Sequence, residues 1–224
     1  MQKSDGMMYA PKGKPAPLCK PGDFNFAAIG LDHGHIYGMC NGLIEGGATL
    51  VKAYDKDKEK LTQFCNTYPD VKPARCEEEI LDDATIQLVA SATVPCQRCP
   101  LGLRVMDSGK DYFADKPAIT TFDQLNNAKE KVKQTRRKFF IYFSERLHVE
   151  AAVYAGDLIK DGIIGKVLQV IGLGPHRLNP QTRPNWFFER DCTGGILYDI
   201  GSHQIEQFLY YCGAKTAAVL HSKV

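Results

Sequence analysis

Two short segments, far apart in the chain, hold residues that could move a proton. Asp115-Lys116-Pro117 follows the apolar, strand-like run Tyr112-Phe113-Ala114. Gly194-Gly195-Ile196-Leu197-Tyr198-Asp199-Ile200-Gly201-Ser202-His203 lies in the second half. Together they offer a lysine, a carboxylate and an imidazole. Such a set can move a proton on and off a hydroxyl while another group takes a hydride. Asp199 and His203 stand four apart in a segment, Leu197 to Tyr211, that reads as one helix, so they share a face. An imidazole with an unperturbed pKa of about 6.5 suits proton exchange near neutrality. A lysine cation beside the reacting oxygen favours its alkoxide form, and electrostatic help of this kind is often the largest catalytic contribution. Taken singly, Lys116 reads as a surface lysine and His203 as a packed helix histidine; the joint pattern argues for chemistry.

The elements that must position these groups alternate along the chain. Strands are expected at Phe26 to Ile29, Thr49 to Tyr54, Lys72 to Arg75, Leu88 to Ala92, Tyr112 to Ala114 and Phe139 to Phe143. Helices are expected between them at His35 to Glu45, Lys58 to Tyr68, Cys99 to Ser108 and Phe122 to Arg137. Strand, helix, strand at this spacing means a parallel sheet with helical crossovers. Beyond it, Val149 to Lys160 reads as a helix, Gly165 to Gly172 as a strand, and residues 174–195 as loop.

The first strand runs into Gly30-Leu31-Asp32-His33-Gly34-His35-Ile36-Tyr37-Gly38 and then a helix, the order of a dinucleotide-binding unit. The G-x-G-x-x-G spacing does not fit ungapped, because Asp32 and His35 fall on the second and third glycine positions. A carboxylate there would repel a pyrophosphate. Either the turn is one residue longer, with Gly34 making the close approach, or the phosphates sit differently. Asp55 lies 25 residues after Gly30 at the end of the second strand, where a carboxylate accepts the ribose hydroxyls of NAD. It disfavours the 2′-phosphate of NADP, with Lys56 beside it partly offsetting that preference. His33 and His35 form an H-x-H without a third ligand near in sequence, so no metal is expected, and their N–H groups are read as offsetting pyrophosphate charge.

Composition excludes several classes. The 224 residues carry 28 basic and 26 acidic side chains, a net charge of +2, too balanced to argue for nucleic acid or a membrane surface. No run approaches a transmembrane helix in length, and the start of the chain lacks the apolar core of a secretory signal. The eight scattered cysteines read as reduced thiols of a cytoplasmic protein. Cys96-Gln97-Arg98-Cys99 is a lone CxxC, half a zinc site at most, and more simply two small residues in a strand-to-helix loop. Residues 1–23, with Pro11, Pro15, Pro17 and Pro21, read as an extended arm.

Several segments, taken in order, resemble the glucose–fructose oxidoreductase / inositol dehydrogenase / rhizopine-catabolism family of NAD(P)-dependent oxidoreductases. Ser108-Gly109-Lys110 through Asp115-Lys116-Pro117 is similar to its G-K-x-x-x-x-E-K-P. Gly162-Ile163-Ile164-Gly165-Lys166-Val167 is similar to its G-x-I-G-x-V, and Gly194 through His203 to its G-G-x-x-x-D-x-G-x-H. The resemblance runs from about Phe24 to Gly213. It implies a Rossmann-type parallel-sheet domain over residues 24–143, then a partial α+β substrate and oligomerisation domain over 144–224 that reads as truncated, since family members are longer. It implies that Lys116 hydrogen-bonds the reacting hydroxyl, that Asp199 orients the site, and that His203 is the general base. Pro117 would keep Lys116 extended, because a residue before proline avoids the helical region.

The expected cofactor set is Gly30, Asp32, His33, Gly34, His35, Asp55, Lys56, Thr93, Pro95, Asp115 and Lys116. The expected substrate set is Lys116, Arg146, Trp186, Asp199 and His203. Two residues depart from the family pattern: Asp115 replaces its glutamate, and Arg98 replaces a histidine common near the helix after the fourth strand. The expected activity is oxidation of a secondary hydroxyl on a sugar, cyclitol or related polyol with NAD, in a homo-oligomer. The alternatives are a non-catalytic nucleotide-binding sensor or truncated remnant and, third, a thiol redox or metal protein using Cys96 and Cys99.

Overall fold

The computed structural model describes residues 16–223. Six strands form one parallel sheet: β1 (Asn25–Ile29), β2 (Thr49–Tyr54), β3 (Lys72–Pro73), β4 (Leu88–Ser91), β5 (Asp111–Asp115) and β6 (Phe139–Tyr142). Their order across the sheet is β3-β2-β1-β4-β5-β6. The chain winds outward from β1 in one direction, then returns to β4 and winds outward in the other. Between β1 and β4 lies the point where the order reverses, and the crevice beyond their carboxyl ends is where such sheets bind ligands.

The strands are apolar nearly throughout because helices cover both faces. Phe26 and Ala28 of β1 point into one core with Ile36, Met39 and Phe64. These last come from α1 (His35–Glu45) and α2 (Lys58–Thr67). Ala27 and Ile29 point the other way, into a core with Leu101, Val105, Met106 and Tyr112. That face is covered by α4 (Pro95–Asp107) and α5 (Phe122–Thr135), with one turn, α3 (Glu78–Leu81), near the sheet edge. Asp57 caps α2 and Thr121 caps α5 through side-chain acceptors, which fixes where both helices begin.

Residues 1–15 of the expected arm lie outside the described residues. From Leu18 the segment is not a free arm. Leu18 N–H donates to the Gly46 carbonyl (2.8 Å) and Gly22 N–H to Thr49 Oγ1 (2.8 Å). Gly47, at φ +99°, leaves room for the Cys19 carbonyl, which a Cβ would meet at 2.1 Å. The eight cysteines are free, and no helix among the described residues is long and apolar enough to cross a membrane.

The second half is helical. It comprises α6 (Ser144–His148), α7 (Glu150–Lys160), two 3₁₀ turns at Pro180–Thr182 and Asn185–Phe188, α8 (Arg190–Thr193), α9 (Ile196–Asp199) and α10 (Gly201–Tyr211). Two expectations are corrected. Gly165 to Gly172 is not a strand: Leu168 and Ile171 are 89% and 75% exposed, and no strand lies beside the segment among the described residues to take its backbone hydrogen bonds. The single helix expected from Leu197 to Tyr211 is two helices that meet at Ile200.

Close packing makes a paired prediction. A Cβ on Gly102 of α4 would meet the Tyr112 ring at 2.4 Å, whereas one on Gly42 of α1 would meet nothing within 4 Å. Gly102→Ala should destabilise the fold by about 1–3 kcal/mol through overpacking. Gly42→Ala should stabilise it by roughly 0.5–1 kcal/mol through helix propensity. Urea midpoints read both signs, and equal shifts for the two variants would refute the packing argument.

Candidate active site

Asp115 ends β5, and its carboxylate is fully buried. Four donors surround it. His33 Nδ1 lies 2.9 Å from one oxygen and His35 Nδ1 2.8 Å from the other. Arg98 Nη2 sits 3.1 Å away, and the Lys116 N–H donates at 2.8 Å. Burial opposes ionisation, but Arg98 and the two imidazoles outweigh it and hold the carboxyl well below the usual carboxylate range. Burial is also the main influence on His33, keeping that ring below its ordinary pKa despite Asp115. The pair is therefore a neutral imidazole donating to an ionised carboxylate.

Arg98 does not take over the ligand contacts of a surface histidine. It is 1% exposed and acts inward. Its Nε donates to the Thr93 carbonyl (2.7 Å), and Nη1 donates to the carbonyls of Lys116 (2.5 Å) and Pro117 (3.2 Å). One planar guanidinium thus ties the end of β4 to the Lys116-Pro117 segment, whose peptide bond is cis.

The segment so held aims Lys116 at the second half. Lys116 Nζ donates to Asp199 Oδ1 (2.8 Å) and to the Asp199 carbonyl (3.1 Å). This contact accompanies the break in the expected helix. The Asp199 carbonyl is taken by Lys116 and Ser202 Oγ, while the His203 N–H bonds Ile200 instead. His203, on α10, is 2% exposed, and its Nδ1 has no protein partner. Burial, then the Lys116 and His35 charges, push its pKa down to about 3.

Lys116, Asp199 and His203 line one cavity of about 180 Å³ with His33, His35, Pro95 and Trp186. An adjoining cleft of about 350 Å³ is lined by Gly30, Asp32, Asp55, Lys56 and Thr93. The two meet along Asp32-His33 and Thr93-Val94-Pro95, forming one crevice at the carboxyl ends of the strands. Asp55 Oδ2 accepts from Leu31 N–H (2.6 Å) and Oδ1 from Asp57 N–H (2.8 Å), which leaves each oxygen a second lone pair. Gly30, at φ +76°, lets the turn pass Thr93, whose Cβ a side chain would meet at 2.5 Å. Gly34 caps α1 with open space where its Cβ would be and no side chain bonded to the helix start. An uncapped helix N-terminus beside a ribose-type carboxylate fits a dinucleotide.

The turn also resolves the problem posed by Asp32. Its carboxylate is paired with Lys60 Nζ at 2.5 Å and accepts from Thr93 Oγ1 at 3.1 Å, so its charge is compensated before any phosphate arrives. Gly38 fills the role of a packing glycine, since a Cβ there would meet Tyr142 Oη at 2.8 Å.

Four expectations are corrected by these placements. Asp115 is sealed beneath the crevice, so it acts through His33, His35 and Lys116 rather than on a cofactor. The Nδ1 atoms of His33 and His35 face that carboxylate, not a phosphate. The H-x-H pair does have a third group near it: the three ligand atoms lie within 4.8 Å of one another. Arg98 and the Lys116 N–H occupy the same carboxylate, so a cation would have to displace a buried guanidinium, and the set reads as a hydrogen-bonded network. Arg146 does not line the cavity, because its Nε bonds Glu206 (2.6 and 2.9 Å) and its guanidinium stacks on Tyr210. The thiol idea also weakens, since Cys99 is buried against the Gln124 carbonyl and burial pushes it up to about 11. Glu145 and His176 line the cavity without having been anticipated. Only Glu145 carried a signal, as the second residue after a parallel strand.

Comparison with known proteins agrees with this geometry. The model of the oxidoreductase family with an NAD-binding Rossmann fold (GFO_IDH_MocA) matches residues 24–143, and that of the GFO/IDH/MocA C-terminal domain matches residues 153–222. The chain belongs to the GFO/IDH/MocA family of oxidoreductases. A crystal structure from Erwinia carotovora atroseptica is 47% identical with a TM-score of 0.82, over 85% of this chain and 57% of that one. The scyllo-inositol 2-dehydrogenase (NAD(+)) of Bacillus subtilis is 27% identical over 77% of this chain and 49% of its own length. The NADP(+)-dependent scyllo-inositol 2-dehydrogenase IolW of the same organism is 24% identical over 67% of this chain and 41% of its own. The chain thus spans about half the length of such GFO/IDH/MocA relatives.

Two predictions follow from the buried charges. Arg98→Leu leaves the Asp115 carboxylate buried without its cation and should cost about 3–5 kcal/mol in urea unfolding. Adding Asp115→Asn should recover part of that loss, and strictly additive losses would refute the pairing. For His203, the folded pKa lies near 3 and the unfolded near 6.5, so the unfolded chain takes up the proton first as pH falls. Stability should decline from about pH 6.5 toward pH 3, by at most roughly 1.4 kcal/mol per pH unit from this group. His33 and His148, both lowered chiefly by burial, act in the same direction. His203→Asn should flatten the melting temperature against pH across that window; an unchanged slope would exclude His203 as a contributor.

Proposed function

We propose that this chain oxidises a secondary hydroxyl of a sugar, cyclitol or related polyol, with NAD as the hydride acceptor. The observation that carries the reading is the meeting of Lys116, Asp199 and His203 in one cavity that continues into the Asp55 cleft. The names of the inositol dehydrogenases among its relatives support the substrate class.

Bound NAD would supply the electrophilic carbon that takes the hydride. The chain's own residues do the rest. The Lys116 ammonium has three donors, and Asp199 engages it at two oxygens, which leaves a donor for the substrate oxygen. That cation stabilises the alkoxide developing as hydride departs. His203, whose ring lines the cavity with Nδ1 sealed behind it, takes the hydroxyl proton at Nε2. Asp199 fixes the direction of Lys116, and Trp186 offers an aromatic face for a sugar ring. NAD is favoured over NADP because a 2′-phosphate would meet the Asp55 carboxylate, although Lys56 and Arg104 line the same cleft. A homo-oligomer is part of the reading, supported by the exposed Leu168, Ile171 and Leu173.

The test combines a polyol panel containing scyllo-inositol, followed as NADH absorbance, with calorimetric NAD binding. Lys116→Ala and His203→Ala should each lower kcat by roughly 10²–10⁴-fold. NAD affinity should change by less than about threefold in either variant, well under 1 kcal/mol. NAD should raise the melting temperature more than NADP, and Asp55→Ala should remove that difference. Turnover that survives in both variants would sink the assignment. NAD binding without turnover of any polyol would favour the sensor.

A further inference from the structure

The proposed reaction releases a proton inside a closed site. His203 is 2% exposed, so while substrate fills the cavity a proton accepted by its ring has no direct path to water. Its cavity-side nitrogen, Nε2, lies 3.9 Å from Glu145 Oε1. The same Glu145 oxygen lies 2.9 Å from His176 Nε2, and His176 is 36% exposed at the cavity mouth, with Nδ1 3.1 Å from the Gly174 carbonyl. The three groups run in a line from the buried base to the surface.

We propose that Glu145 and His176 are the exit route for the proton that His203 removes from the substrate. The proposal rests on the polyol-oxidation reading above. Per turnover, the substrate C–H leaves as hydride to NAD and its O–H proton goes to His203 Nε2. That proton passes to the Glu145 carboxylate, then to His176 Nε2, while the His176 Nδ1 proton is given up to solvent. His203 is thereby back in its starting tautomer, and exposed His176 regains its own by exchange with water. The net change is one hydride to NAD and one proton to bulk water.

The geometry suits a relay. The 3.9 Å gap exceeds a hydrogen bond by about 1 Å, and catalytic hydrogen bonds in empty sites tighten when the site fills or are bridged by one water. Glu145 is placed by the first turn of α6, which begins one residue beyond β6. The other charged groups lining the cavity are Lys116, Asp199, Arg98 and Arg183. Asp199 is bound to Lys116 and Arg98 to Asp115, which leaves Glu145 as the carboxylate facing His203 Nε2. Burial and the Lys116 charge also press His203 to lose an added proton.

Glu145→Gln and His176→Asn should each lower kcat on the order of tenfold with KM moved less than about twofold, a smaller loss than removal of the base itself. Added imidazole buffer should restore part of the lost rate, which a purely structural role for either residue would not allow. In the His203→Ala background, Glu145→Gln should cause no further loss. In case Glu145→Gln unfolds, the His203 side-chain nitrogen resonances of the unaltered chain at neutral pH give an independent reading. The Nδ1–H tautomer, which leaves Nε2 free to accept, supports the route and the Nε2–H tautomer overturns it. If the unaltered chain oxidises no polyol, the functional reading falls and takes the route with it. If it does, and Glu145→Gln is as fast, the route alone is overturned.

Discussion

A negative charge held at the end of β5, fully out of water, is the constraint around which the rest of the site is arranged. Bringing a carboxylate to 0% exposure is tolerable only where its lone pairs are filled and its charge is met. Asp115 satisfies this with one guanidinium, two imidazoles and one backbone N–H. The four donors come from three different parts of the fold. His33 and His35 belong to the turn that opens α1, Arg98 to the first turns of α4, and the N–H to Lys116 itself. Satisfying one anion therefore fixes the His33–His35 turn, the helix after β4 and Lys116 relative to one another. The shorter aspartate in place of the family's glutamate fits this inward role, because the donors converge on it at the strand end.

Arg98 shows why a single change of residue type can be read wrongly from sequence. A histidine replaced by arginine looks like the loss of a ligand contact. In the fold the longer side chain reaches past the crevice floor and ties down the carbonyls of Thr93, Lys116 and Pro117. Five donors in a rigid fork can satisfy that many acceptors at once, which a neutral imidazole cannot.

The parallel sheet and the order of its helices were legible because most strands are short apolar runs separated by segments of helical length and period. Asp55 was legible too, since a carboxylate closing the second strand has a fixed place. The turn around Asp32 was not, because its compensation comes from Lys60 on α2 and Thr93 after β4, both distant in sequence. The H-x-H pair misled for the same reason: its partner lies some eighty residues on, at Asp115. In the second half, the apolar residues Val167, Leu168, Val170 and Ile171 suggested a strand, but a strand forms only where a neighbour accepts its backbone bonds, and the described residues provide none there. The break at Ile200 was hidden as well, since helical spacing cannot reveal that a lysine from β5 will claim the Asp199 carbonyl.

That claim on the carbonyl explains how one contact serves both structure and chemistry. Were Leu197 to Tyr211 a continuous helix, the Asp199 carbonyl would lie along the helix axis and accept from the His203 N–H, leaving one lone pair for any other donor. Ending α9 at Asp199 frees it, so that Lys116 Nζ is held by two oxygens of one residue rather than by a single flexible carboxylate. Two fixed acceptors orient the ammonium, and its third N–H then has a defined direction instead of a cone of them. The restart at Gly201 turns His203 inward two residues later, where burial first and then the same ammonium's charge work against a proton on the ring. The lysine that would stabilise an alkoxide thus adds to burial in keeping the imidazole unprotonated, and its part in both effects arises from one interaction between the residue after β5 and the α9–α10 junction.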